Sequence, residues 1–94
     1  MQPSSIKPLQ QRWNRAVASV VSATRRDADL TQLQLAAAMR IHRNTVARIE
    51  AGKRSMTVRE FMLFAHVLKI PPAELFDRVL RWKGVNAMRG IEPA

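Results

Sequence analysis

Apolar residues recur along most of this chain at the three- and four-residue spacing of a helix, and no segment shows the two-residue alternation of a half-buried strand. Pro8 suits a first helical turn. After it, Leu9, Trp13, Ala16, Val17, Val20 and Ala23 predict one long helix ending near Arg26. Thr31, with Gln34 three residues on, matches the capping box in which each side chain bonds the other's backbone N–H. It opens a short second helix whose inner side is Leu35, Ala36 and Met39. A third helix is predicted to begin after His42, to turn Val46 and Ile49 inward, and to stop before Gly52, which tolerates a left-handed C-terminal position. Thr57 and Glu60 repeat the capping box and open a fourth helix that runs through Phe61, Phe64 and Ala65 to about Leu68. Pro71 and Pro72 separate it from a fifth, Ala73 to Trp82, before Gly84. The expected fold is all-α: five helices with short connections.

Length and charge narrow what such a bundle does. Ninety-four residues form one core. The expected division is a helix-forming unit at 16–82, an extension at 1–15 running into helix one, and a tail at 83–94. Sixteen Lys and Arg against seven Asp and Glu give a net charge of +9, which points to a polyanionic partner, nucleic acid ahead of an anionic membrane surface. With 47% hydrophobic residues the chain is too apolar for a disordered basic tail. There are no cysteines, which excludes disulfides and thiolate zinc sites. MQPSSIKPLQQRWNRA carries no apolar run of signal-peptide length, and no later run reaches the roughly 18 residues of a membrane span. The expected location is the cytoplasm, with no membrane partner.

The stretch LTQLQLAAAMRIHRNTVARIEAGKR, from Leu30 to Arg54, carries the candidate chemistry. Two short helices with a tight connection, the second bearing cationic and polar residues on one face, suit insertion into a DNA major groove. At about 100° per residue, Arg43, Asn44, Ala47, Arg48 and Ala51 fall within a sector of about 140°, opposite Thr45, Val46 and Ile49. Arg can bond guanine O6 and N7 with two parallel donors, and Asn can pair with adenine N6 and N7. Ala47 is small enough to let the helix approach the bases. Arg43, Asn44, Ala47 and Arg48 are therefore the expected base-reading set.

Thr31-Gln32, Leu35-Ala36, Arg43-Asn44-Thr45-Val46 and Ile49-Glu50-Ala51-Gly52-Lys53-Arg54, followed by Phe64-Ala65, Leu68 and Glu74-Leu75-Phe76, resemble the Cro and phage-repressor type of helix-turn-helix protein, the XRE family, over about residues 17 to 77. The resemblance implies that Gln32 holds a DNA phosphate, that Lys53 and Arg54 touch the DNA backbone, and that Arg25 pairs with Glu50 as a structural clamp. Arg40, His42 and Thr45, around the turn and the start of helix three, complete the expected backbone set. Two departures carry expectations of their own. Arg40 stands where the family has glycine, so the turn either strains or holds an arginine at positive φ. His42 replaces the usual Ser or Thr cap, so helix three is expected to start less well capped.

No Ser/His/Asp group, paired carboxylates or glycine-rich phosphate loop is present, and His42 and His66 are too few for a metal site. No enzyme activity, metal or cofactor is expected. Helix four is apolar nearly all round, with Met62 and Leu63 where the family has polar residues, and helix five adds Val79, Leu80 and Trp82. One reading has these residues covering the turns that carry Leu9 and Trp13. The other makes Met62, Leu63, His66, Val79, Leu80 and Trp82 a homodimer surface. The expected function is a transcriptional regulator, a repressor binding double-stranded DNA at a palindromic operator as a homodimer. Two alternatives are an antitoxin, whose protein partner is a toxin bound by residues 1–15 and 83–94, and the controller protein of a restriction-modification locus. An RNA partner fits less well, because no aromatic stacking surface accompanies the basic face.

Overall fold

A computed structural model of the chain describes residues 7–82. The tail at 83–94, and the first six residues of the extension, lie outside the described residues, as does most of what the antitoxin alternative would use. Five α-helices follow in order: α1 Lys7–Asp27, α2 Gln32–Met39, α3 Arg43–Glu50, α4 Val58–Leu68 and α5 Pro72–Arg81. No strand occurs among the described residues. Helix α3 packs on α1 and α2, α4 packs on α2 and α5, and α5 returns to α1, so the helices close a ring. Inside it lie Ala16, Val20, Val21, Leu35, Ala36, Met39, Val46, Phe64, Ala65, Leu75 and Val79. Along α1 the inward row runs through Val20, Val21 and Thr24, whereas Ala23, expected inward, is exposed. The Thr24 hydroxyl turns back to donate to the Val20 carbonyl at 2.6 Å, which lets a polar residue occupy that inner position.

Both capping boxes form. Thr31 and Gln34, and Thr57 and Glu60, exchange side-chain to backbone bonds of 2.9–3.1 Å that fix where α2 and α4 begin. The start of α3 is better capped than its sequence suggested: the His42 Nδ1 accepts the Asn44 backbone N–H at 3.1 Å. The ring nitrogen takes the place of a Ser or Thr oxygen, and the other ring nitrogen is not used by the cap.

The first four helices end with one device. Asp29, Arg40, Gly52 and Lys69 all have φ between 57° and 74°, and only one of them is glycine. At each, the following residue's N–H reaches back to a carbonyl five residues earlier: Leu30 to Arg25, Ile41 to Ala36, Lys53 to Arg48, and Ile70 to Ala65. These are Schellman ends, whose hydrophobic contact comes from the residue after the left-handed one. Ile41 and Ile70 pack against the core. Their burial offsets the roughly 1–2 kcal/mol that a left-handed side chain costs at Arg40 and Lys69. Of the two outcomes open for the α2–α3 turn, the chain adopts the arginine at positive φ.

Candidate nucleic-acid interface

Helix α3 presents Arg43, Asn44 and Arg48 to solvent, with Ala47 half-buried among them and Val46 and Ile49 turned into the core at 2% exposure each. The angle at which it leaves α2 is set by one polar knot. Arg25, near the end of α1, donates through Nε to Glu50 Oε2 at 2.7 Å and through Nη2 to Glu50 Oε1 at 2.9 Å. Its Nη1 donates to the Leu30 carbonyl in the α1–α2 turn at 2.7 Å. Gln32, the first residue of α2, donates to the same Glu50 Oε1 at 3.0 Å. Three segments meet on one carboxylate, the end of α1, the start of α2 and the end of α3, and Arg25 ties the α1–α2 turn to them. Burial by itself would raise the Glu50 carboxyl, but the bonds from Arg25 and Gln32, with the charges of Arg25 and Arg26, outweigh it and hold the group below the usual carboxylate range. The bond to Glu50 correspondingly raises the Arg25 guanidinium.

A second knot fixes the α3–α4 connection. Arg54 pairs with Glu60 through two bonds of 2.9 and 3.0 Å and also donates to the Ser55 carbonyl. That bond, ahead of the opposing effect of partial burial, lowers the Glu60 carboxyl. The same Glu60 closes the α4 capping box. Between residues 40 and 59 the chain has six basic residues and one acid, Glu50, and the next residue, Glu60, bears on that balance. Glu60, one position beyond that window, engages Arg54, while Glu50 is fully engaged by Arg25. Arg54 is a loop clamp, and within that window the cations that make no ion pair among the described residues are Arg40, Arg43, Arg48, Lys53 and Arg59.

The helix-turn-helix family model matches residues 21–75. This chain belongs to the helix-turn-helix family. The match covers α2, α3 and the bonded segments around them, so the two helices joined by the Arg40 turn are the DNA-binding unit, of the kind found in transcriptional regulators. Its fold is shared by solved structures that include two regulators. A point mutant of the restriction-modification controller protein C.Esp1396I is 22% identical with a TM-score of 0.69, covering 73% of this chain and 87% of that one. The clp gene regulator ClgR from Corynebacterium glutamicum is 18% identical with a TM-score of 0.72, covering 84% of each chain. No curated protein matches.

Within this helix-turn-helix unit the expected contact residues are distributed unevenly. Arg40, His42 and Lys53 are exposed around the recognition helix, and Thr45 is half-buried on its flank. Gln32 already gives one amide N–H to Glu50, so it links α2 to α3 whatever else it binds. The expected dimer set divides more sharply. Val79 is core, at 6% exposure, because α5 turns Leu75 and Val79 toward α1. Leu63 and Trp82 are half-buried against that core, whereas Met62, His66 and Leu80 are exposed. Sequence reasoning missed Val58 and Phe76, exposed by 80% and 51%. The Phe76 ring stands edge-on to Phe61 at 6.4 Å on the rim of a cleft of about 360 Å³ lined by Val17, Met56, Phe61 and Val79.

Proposed function

We propose that this protein is a cytoplasmic, sequence-specific transcriptional repressor that binds a palindromic operator as a homodimer. The observation that carries the reading is the outward face of α3, where Arg43, Asn44 and Arg48 are exposed with no carboxylate engaging either arginine among the described residues. On that face the arginines read guanine, Asn44 reads adenine, and Ala47 allows the helix to approach the base edges. Arg40, Lys53 and the outer ring edge of His42 hold the flanking phosphates and fix the register without choosing the sequence. Occupying an operator is enough to exclude polymerase, so repression asks nothing of the fold beyond tight binding.

One recognition helix reads only a few base pairs, so a defined site needs two. A twofold dimer separates them by about one DNA turn, roughly 34 Å. The surface that supports this is the exposed apolar set Val58 and Met62 on α4 with Phe76 and Leu80 on α5. The fold shared with a restriction-modification controller protein favours one second reading, in which the regulated genes are of that kind. Selection of bound fragments from random DNA tests the proposal. The expected result is a motif with twofold symmetry whose half-sites lie about 10 base pairs apart. A single asymmetric half-site bound by one chain, or no enriched motif, refutes it.

A further inference from the structure

The first described turns of α1 lie outside the matched family region, yet they touch the loop that follows the recognition helix. The Ser55 hydroxyl donates to the Asn14 amide oxygen at 2.9 Å, tying that loop to α1. One residue on, the Arg15 stem passes over Gly52, where its Cγ is 3.9 Å from the position a Cβ would take. Gly52 immediately precedes Lys53, and Arg48 is one turn back in α3. Arg15 and Arg12 are exposed and make no ion pair among the described residues. Gln11, one turn before Arg15, is also exposed on the loop-facing side, opposite Trp13 and Val17. No acid precedes Asp27 in the chain, and the two acids closest to the recognition helix, Glu50 and Glu60, are engaged by Arg25 and Arg54.

From this geometry we infer that the N-terminal part of α1 is a second DNA-backbone contact, in which Arg15, flanked by Arg12 and Gln11, holds a phosphate beside the one held by Lys53. This rests on the DNA-binding reading above and extends its footprint beyond the helix-turn-helix unit. The chemistry is direct. A guanidinium on a stem packed across Gly52 is held at the edge of the DNA-facing loop, and its planar donors match phosphate oxygens. The Asn14 to Ser55 bond keeps helix and loop moving together, so ordering one orders the other. Because the contact is to phosphate, it raises affinity for every sequence alike and leaves base preference to α3.

The test is the salt dependence of binding to a duplex of random sequence and to the selected operator, for the wild type, Arg15→Gln and Arg15→Lys. Glutamine keeps the Cβ and Cγ that pack over Gly52 and removes the charge. Each phosphate contact contributes about 0.9 to the slope of log affinity against log salt, so one lost contact makes the wild-type advantage shrink by about 3.5-fold between 50 and 200 mM salt. Arg15→Gln is expected to lower the slope by about 1 on both duplexes with an unchanged melting midpoint, and Arg15→Lys is expected to restore it. A wild type that binds with the same slope as Arg15→Gln overturns this inference and leaves the DNA-binding reading standing. A loss that is equal at all salt concentrations and accompanied by a lower melting midpoint overturns it too, by making Arg15 a packing residue. A wild type that binds neither duplex overturns both readings.

Discussion

Replacing Glu50 by alanine removes the acceptor on which Arg25 and Gln32 converge, and the structure sets the size of the effect. The Arg25 and Glu50 side chains are 11% and 5% exposed, so water cannot readily take the place of the lost carboxylate. After Glu50→Ala, Arg25 keeps only the Leu30 carbonyl as a partner. Breaking a buried pair from one side costs about 3–5 kcal/mol, and the remaining exposure and the surviving carbonyl bond place this case near about 3 kcal/mol. For a domain of this size total stability is about 5–14 kcal/mol, so the loss is a large fraction of it. The corresponding fall in melting temperature is about 12–24 °C. Glu60→Ala is the internal comparison. Arg54 is 32% exposed and can turn to solvent, so that variant is expected to lose the capping bond and little more, about 1 kcal/mol. Removing both members of the first pair, Arg25→Met with Glu50→Leu, is expected to recover much of the loss, because no unpaired charge remains. Urea denaturation of the four proteins, followed by circular dichroism, measures this directly. An unchanged midpoint for Glu50→Ala, or equal losses for Glu50→Ala and Glu60→Ala, would refute the argument that burial of the pair sets its worth.

Arg43→Ala and Arg48→Ala are each expected to cost about 1–3 kcal/mol of operator affinity and to relax base preference locally, whereas Lys53→Ala weakens all sequences alike; a binding array over single-base variants of the operator separates the two patterns, and uniform losses for Arg43→Ala would take it out of the reading set. Replacing Met62 and Phe76 with Asp puts charge on exposed apolar positions and is expected to yield a folded monomer that keeps weak, salt-sensitive binding but loses operator selectivity; sedimentation at micromolar concentration decides it, and a wild type that is monomeric both free and on its operator refutes the dimer. The carboxyls of Glu50 and Glu60 are held below their unfolded value, so the unfolded chain takes up more protons as the pH falls. Their contribution is full above the ordinary carboxylate pKa of about 4.3 and is lost as the pH drops through the lower folded values, so the urea midpoint is expected to be flat at neutral pH and to fall below about pH 4. Glu50→Gln should flatten part of that acid decline, and an unchanged profile would count against the knot.

The helices themselves were legible in the chain, because periodicity and capping are local. Thr31 with Gln34 and Thr57 with Glu60 mark helix starts by bonds that span three residues, and the inward rows of α2 and α3 follow from spacing alone. The reading face of α3 was legible for the same reason, since 100° per residue separates Arg43, Asn44 and Arg48 from Val46 and Ile49. Competition for shared partners was not legible, because it depends on which distant side chains the packing brings together. Arg54 and Lys53 are neighbours of similar charge in the sequence, yet only Arg54 reaches Glu60, and only the folded loop makes one a clamp and leaves the other free. Val79 and Leu80 looked equally available, and the angle at which α5 closes the ring against α1 buries the first and exposes the second. The left-handed Lys69 likewise has no marker of its own, and Arg40 was marked only by standing where the family has glycine. Their strain is offset by Ile41 and Ile70, whose burial exists only once the core has assembled around them.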